Sequence, residues 1–145
     1  MNLQYALIAL AAALGGAGAV GWLINRRSGV VREIAAAPDR PAADTSDLGL
    51  SRTSPTILHF SAPWCGPCAG VRRVVDQVCK EFAAQGSTVA HVEIDMDADP
   101  AAGRRLSVLS LPTTFVFDAD GRQRYRTAGV PKVADLRSAL TALLA

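Results

Sequence analysis

Two of the three cysteines stand three positions apart, in the segment Trp64-Cys65-Gly66-Pro67-Cys68. A short apolar run ends just before this segment, and a helical pattern begins just after it. Two thiols at this spacing can close a small disulfide ring, and the positive end of the helix stabilises a thiolate at Cys65. We therefore expect Cys65 to be the attacking thiol. Cys68, one turn further in and more buried, is expected to resolve the mixed disulfide with a substrate, while Gly66 and Pro67 shape the turn.

A cysteine pair at this spacing is also half of a zinc site. The other candidate ligands are His59, His91 and Cys79, and they are poorly spaced for that role. Cys79 follows Cys68 by about three helical turns, roughly 16 Å along the axis, which is too far for one ion or one disulfide. We therefore predict no metal site and interpret Cys79 as a small core thiol.

The elements that position the cysteines follow from hydrophobic periodicity and turn signals. Strands are predicted at 56–60, 89–95, 113–117 and 123–127, and helices after the cysteines to about 86, at 99–106 and from about 131. Asp118-Ala119-Asp120-Gly121 is a turn signal that makes a hairpin of the last two strands. This order predicts an α/β fold with a central mixed sheet flanked by helices.

Between about Pro55 and Leu144 the sequence resembles the thioredoxin family. The matching motifs are WCGPC at 64–68, VEID at 92–95, LPTTF at 111–115, DG at 120–121 and AGVPK at 128–132. The resemblance implies the thioredoxin-like fold and dithiol–disulfide exchange through a redox-active Cys65–Cys68 disulfide. It further implies a cis peptide between Leu111 and Pro112, in a loop that faces the cysteines and hydrogen-bonds substrate, and it places Gly129 beside the substrate groove.

Two positions depart from the family pattern behind the cysteines. Thioredoxins usually carry a buried aspartate six residues before the first cysteine, thought to assist deprotonation of the second, and here that position is His59. The partner lysine of the family aligns with His91. We hypothesise that His59, whose unperturbed pKa is about 6.5, accepts the proton of Cys68 and that His91 tunes it. The alternative is a pair of hydrogen-bonded core histidines without a kinetic role.

The resemblance also leaves a gap at the beginning of the family fold. Its first strand and helix have no convincing match between Ile34 and Pro55, and residues 47–51 supply at most a fragment. We expect a shortened fold. Residues 28–54 are rich in Ala, Pro, Asp, Ser and Thr without a sustained period, which predicts a flexible linker before a domain at 55–145.

The N-terminal segment carries most of the excess apolar character. Residues 3–24 contain no charge, and Gln4 is their only strongly polar side chain. As a helix these residues run roughly 33 Å, enough to cross a hydrocarbon core of about 30 Å. A signal peptide would have a basic start and a shorter apolar region, so we interpret residues 1–27 as an uncleaved single-pass transmembrane anchor, with a cleaved signal as the alternative.

Charge beside this segment predicts its orientation. No lysine or arginine precedes it, whereas Arg26, Arg27, Arg32 and Arg40 follow it, which indicates a cytoplasmic C-terminal domain. An extracytoplasmic domain is the alternative, because long translocated domains can ignore this rule. Residues up to 46 contribute half of the net charge of +2, and the near-neutral remainder gives no reason to propose nucleic-acid binding.

The leading function is reduction of protein disulfides at a membrane, because CGPC resembles the reducing end of the family. This function needs no bound cofactor. Its partners are disulfide-containing proteins and an electron donor, either a thioredoxin reductase in the cytosol or a membrane donor outside. One alternative is an extracytoplasmic reductase for cytochrome maturation or secreted proteins. Another is a membrane-tethered binding module with little turnover, which holds a partner in the groove at Trp64, Pro112 and Gly129.

Overall fold

A computed structural model describes residues 3–25, 29–34 and 44–145 of the chain. Its elements are α1 (Leu3–Asn25), β1 (Arg32–Glu33), β2 (Thr56–Ser61), α2 (Cys68–Ala84), β3 (Ala90–Asp95), α3 (Pro100–Arg105), β4 (Thr113–Phe117), β5 (Gln123–Ala128) and α4 (Val133–Leu144). The strands form one sheet in the order β1-β5-β4-β2-β3, in which only β2 and β3 run parallel. This confirms the predicted thioredoxin-like α/β fold with a mixed sheet.

The register of the central strands gathers three loops at one end of the sheet. Phe60 near the end of β2 pairs with Thr113 at the start of β4, and Thr113 pairs with Ala128 at the end of β5. The residues after β2, before β4 and after β5 therefore share that end. These are the loops that carry the cysteines, Pro112 and Gly129.

Helices cover both faces of the sheet, which explains why every residue of β2 is buried. Leu58 and Phe60 point to the face closed by α3, whereas Ile57 points to the face closed by α2 and α4. The first core contains Leu48, Leu58, Phe60, Ala102, Leu106, Val108, Phe115 and Phe117. The second contains Ile57, Val71, Val75, Val78, Phe82, Val116, Leu136 and Leu140.

The packed part of the chain begins before the predicted boundary at Pro55. Arg32 and Glu33 form β1 against β5, and Leu48 is buried in the first core. Both lie in the range 28–54 that we predicted as a flexible linker, and contacts with residues distant in sequence hold them. The remainder of that prediction at 28 and 35–43, which includes Arg40, falls outside the described residues, as do Arg26 and Arg27.

The expected gap in the family fold concerns the β3 edge of the sheet. No described strand lies outside β3, and β1 occupies the opposite edge beside β5. Residues 46–49 form a turn, with Asp44 accepting hydrogen bonds from the backbone and hydroxyl of Ser46. The shortened fold stays a prediction, because residues 35–43 lie outside the described residues.

Helix α1 is apolar on all sides. Residues 4–23 have a mean hydropathy of 1.9, none of them is buried, and bulky side chains such as Ile8 and Leu14 are exposed. This is the one helix among the described residues that is long and apolar enough to cross a membrane, and a signal sequence meets the same criteria.

Candidate active site

The two neighbouring cysteines form a disulfide at the end of the sheet where the three loops meet. Cys65 and Cys68 are bonded, with their Cα atoms 5.5 Å apart. The Cys65 amide donates to the Ala62 carbonyl at 3.0 Å, and the Cys68 amide donates to the Cys65 carbonyl at 3.2 Å. Cys65 is partly exposed, whereas Cys68 is fully buried with its Sγ 4.0 Å from the Phe60 carbonyl oxygen. One sulfur is therefore within reach of a partner and the other is enclosed.

Helix α2 begins later than the sequence predicts. Cys68 is its first residue and Pro67 its N-cap, so Cys68 does not lie one turn inside the helix. The reason is that Pro67 has helical backbone angles, φ −65° and ψ −17°. Its carbonyl therefore accepts hydrogen bonds from the amides of Gly70 and Val71, and these are the first hydrogen bonds of the helix. The positive end of α2 thus lies at the disulfide, where it favours negative charge.

A second loop lies beside the partly exposed Cys65, on the side of the site that we call the outer side. Pro112 is buried, Leu111 is partly exposed, and the peptide between them is cis. The Pro112 carbonyl accepts a hydrogen bond of 2.8 Å from the Gly129 amide, which ties the loop to the segment after β5. Gly129 has φ +87°, a conformation that other residues rarely adopt.

The rim of the site is apolar and exposed. Trp64 is 70% exposed, and its indole Nε1 donates to the Asp97 carboxylate at 3.1 Å. Leu109, three residues before Pro112, is 92% exposed. Nothing in the sequence pattern indicated the Trp64–Asp97 contact, because Asp97 lies in the turn after β3 and meets Trp64 only through the fold.

The two histidines contact each other, as their positions in the sequence suggested. They lie on the side of the site that α2 covers, which we call the inner side. His59 in β2 is fully buried, and its Nδ1 lies 3.0 Å from Nε2 of His91 in β3. Their rings are stacked with centroids 5.1 Å apart. Because side chains alternate along a strand, His59 shares with Ile57 the face of the sheet under α2.

An ion pair beside the histidines was missed at the sequence level. Glu93 accepts hydrogen bonds from Nε of Arg72 at 3.0 Å and from the Ser61 hydroxyl at 2.6 Å. Its Oε1 lies 3.6 Å from Nε2 of His59, beyond hydrogen-bond length, and this Nε2 has no hydrogen-bond partner among the described residues. The available signals were that Glu93 stands two residues after His91 in a strand and that Arg72 stands one turn after Cys68.

Comparison with known proteins now bears on these features. The family model for thioredoxin matches residues 45–142. A thioredoxin of Mycolicibacterium smegmatis is 40% identical over 100 residues, which cover 68% of this chain and 86% of the relative. A thioredoxin of Pyropia yezoensis is 34% identical over 83 residues, or 57% and 75% of the two chains. The crystal structure of chloroplastic thioredoxin z matches with a TM-score of 0.55 and 30% identity, covering 63% of this chain and 79% of that one.

The chain belongs to the thioredoxin family. Family membership and the Cys65–Cys68 pair together make it a thiol–disulfide oxidoreductase. In the part of the chain that the structure describes, no group of three or more His, Cys, Asp or Glu side chains is arranged to hold a metal ion.

The fold lowers the pKa values of three side chains on the inner side. Hydrogen bonds from Arg72 lower the pKa of Glu93 to about 2. Burial lowers the pKa of His59 to about 4, an effect that the negative charge of Glu93 opposes only in part. Desolvation also lowers the pKa of His91. At neutral pH this thioredoxin domain thus holds a charged Arg72–Glu93 pair beside two neutral imidazoles.

Proposed function

We propose that this thioredoxin-family protein reduces protein disulfides while residues 3–24 hold it in a membrane. The observation that carries the proposal is the unequal exposure of the two bonded sulfurs, with Cys65 accessible at an apolar rim and Cys68 enclosed. A reductase needs this difference, because one thiolate must reach a foreign disulfide and the other must wait for the mixed disulfide. Trp64, Leu111, Pro112 and Gly129 form the groove that receives the substrate.

The reaction proceeds in two exchanges. The Cys65 thiolate attacks one sulfur of the substrate disulfide, which forms a mixed disulfide and releases one substrate thiolate. The Cys68 thiolate then attacks Cys65, which releases the second substrate thiolate and leaves the Cys65–Cys68 disulfide present in the structure. The substrate gains two electrons and the protein loses two. A thioredoxin reductase or a membrane electron donor returns them.

His59 is proposed to take the proton from Cys68 before the second exchange. His91 contacts Nδ1 of the His59 ring, and in the tautomer in which Nδ1 donates to His91 the unpartnered Nε2 accepts the proton. The resulting imidazolium faces Glu93 at 3.6 Å, and that carboxylate balances its charge. Because burial holds the pKa of His59 near 4, His59 carries this proton only briefly. His91 tunes the ring through the 3.0 Å contact.

The membrane part of the proposal is supported by α1, whose bulky apolar side chains are exposed in the structure. Anchoring through residues 1–27 gives them a lipid environment. The arginines that follow the span favour a cytoplasmic location for the domain. The electron donor is then a thioredoxin reductase of the same compartment.

The test is reduction of insulin by the full chain in detergent micelles, with dithiothreitol as the electron source and Cys65→Ser as control. We expect reduction well above that of the control, and equal rates for the two would leave only a binding module. Anchoring is tested by alkaline carbonate extraction of membranes, from which the chain should not be released. An impermeant maleimide should label Cys65 only after cells are permeabilised, and labelling of intact cells would contradict the cytoplasmic location.

A further inference from the structure

The chain that leaves α1 is fastened to the domain almost at once. The Gly29 amide donates to the Ala128 carbonyl at 2.7 Å, and the Ile34 amide donates to the Arg124 carbonyl at 2.8 Å. Between them, Arg32 and Glu33 form β1 opposite Arg126 and Tyr125 of β5. We call residues 29–34 the staple, since backbone hydrogen bonds hold both of its ends.

Gly29 fits a place that admits no other residue. It is buried and has φ +79°, and a Cβ atom added there would overlap the Val130 carbonyl oxygen. Gly49 has a similar φ of +71°, yet a Cβ there would meet nothing within 4 Å. Both glycines satisfy a backbone requirement, but only Gly29 is also required by a close approach to the domain.

The direction of the staple matters because β1 and β5 are antiparallel. Gly29 lies against the Ala128–Val130 segment, and Ile34 lies four residues back along β5 at Arg124. The Ala128–Val130 segment contains Gly129, whose amide donates to the Pro112 carbonyl. The chain arriving from α1 therefore meets the domain at its active-site end.

The staple also sets how far the domain can move from the end of α1. Asn25 ends the helix, and four Cα-to-Cα steps separate it from Gly29, a reach of at most roughly 15 Å. A free linker from Asn25 to Pro55 would extend to roughly 100 Å and would typically span about 30 Å. The staple thus shortens the tether from about thirty residues to a few.

We infer that the staple confines the active-site end of this domain to the membrane surface and thereby selects disulfides in the juxtamembrane segments of membrane proteins as its substrates. The inference rests on the proposed function, reduction of disulfides by a membrane-anchored enzyme. Its physical basis is effective concentration. A reactive group held near a surface meets partners at that surface far more often than partners held away from it.

The experiment uses the full chain, reduced beforehand, in phosphatidylcholine vesicles with two transmembrane peptides as probes. The near probe carries a disulfide loop directly after its span. The far probe carries the same loop beyond a helical spacer about 60 Å long. We expect the near probe to be reduced faster by on the order of tenfold, while insulin in solution reports the intrinsic activity.

Two variants with the same insertion separate a stapled tether from a free one. A Gly-Ser insertion of about twelve residues between Arg27 and Ser28 lengthens the chain before the staple. The same insertion between Ala36 and Ala37 lengthens it after the staple. We expect the first insertion to lower the near-to-far ratio severalfold and the second to leave it unchanged. Gly29→Ala should act like the first insertion, and Gly49→Ala should leave the ratio as it is.

Equal effects of the two insertions, or a near-to-far ratio close to one in the unmodified chain, would overturn the inference while insulin reduction continued normally. The proposed function fails differently. In that case the unmodified chain does not reduce insulin, or an alkaline wash releases it from the vesicles. Because the insertions leave residues 29–34 and 44–145 untouched, the result does not depend on how the domain tolerates a substitution.

Discussion

The two sulfurs of the Cys65–Cys68 disulfide face opposite environments. On the outer side, Cys65 borders an exposed apolar rim with Trp64 and the Pro112 loop. On the inner side, Cys68 is buried at the start of α2, and His59 lies under the same helix. The outer side carries Trp64 and Pro112, which lie in motifs shared with the thioredoxin family, whereas the inner side carries His59 where the family resemblance implies an aspartate.

The inner side shows how charge can be kept out of a core. A buried carboxylate without close compensation is strongly penalised, whereas a neutral imidazole needs only hydrogen bonds. Here the negative charge sits on Glu93, partly exposed and bonded to Arg72, and the buried position holds neutral His59. The family's usual aspartate is replaced by a neutral pair with an ion pair at its flank.

The largest effect is expected from removing the outer sulfur. Cys65→Ser should lower insulin reduction to the rate measured without the protein, because no other thiolate reaches the substrate. The matched control is Cys79→Ser, which removes a partly buried thiol whose pKa is raised by burial. That variant should retain its activity, and a loss there would break the assignment of chemistry to the outer side.

A smaller effect is expected from the inner side. His59→Asn removes the proposed proton acceptor and should slow insulin reduction near neutral pH by on the order of a hundredfold. The alkylation rate of Cys65 should change little, because the outer thiolate does not depend on His59. A pH–rate profile identical to that of the unmodified protein would show that the histidines are only structural.

The inner side should also make stability depend on pH. The folded pKa of His59 is about 4, below the unfolded value of 6.5, so the unfolded chain binds more protons between these values. Stability should therefore fall as the pH drops from 6.5 to 4, by at most about 1.4 kcal/mol per pH unit. Urea unfolding at several pH values measures this slope.

His59→Asn should flatten the slope between pH 6.5 and 4. Glu93→Gln should act mainly below pH 4.5, because the folded pKa of Glu93 is about 2 and its usual value is 4.5. Identical slopes in the upper window for His59→Asn and the unmodified protein would mean that the imidazole is not held neutral by the fold.

The smallest effect is expected from the rim. Trp64 is 70% exposed, so Trp64→Ala should change the free energy of unfolding by no more than about 0.5 kcal/mol. The lost apolar contact with substrate should raise the KM for insulin about fivefold, with kcat nearly unchanged. A large drop in stability would instead make Trp64 part of the core, against its exposure.

Local patterns in the sequence sufficed for most of the fold. The strand at Thr113–Phe117 has the predicted bounds, and β2, β3 and β5 differ from prediction by one residue, because their periodicity and the turn at Asp118–Gly121 are local signals. Strand β1 escaped prediction because it is two residues long and exists only through pairing with Arg126 and Tyr125. Leu48 is likewise buried by residues distant in sequence.

In the candidate site too, the sequence indicated some residues and missed others. The cysteines, Pro112 and both histidines were indicated by motifs and by their departures from a family pattern. The ion pair of Glu93 with Arg72 was not, although Glu93 lies in the VEID motif, because a charged residue on an edge strand or on a helix normally faces solvent. They meet because α2 packs beside β3, a contact that only the folded chain creates.

The most direct test of the account is to trap the first exchange. Reduced Cys68→Ser protein is incubated with native insulin, whose disulfides are intact. The adduct is then located by mass spectrometry after digestion without reductant. We predict a disulfide between Cys65 and an insulin cysteine, stable because the inner sulfur that would resolve it is missing. An adduct on Cys79, or no adduct although the insulin is intact, would contradict the division of work between an outer and an inner sulfur.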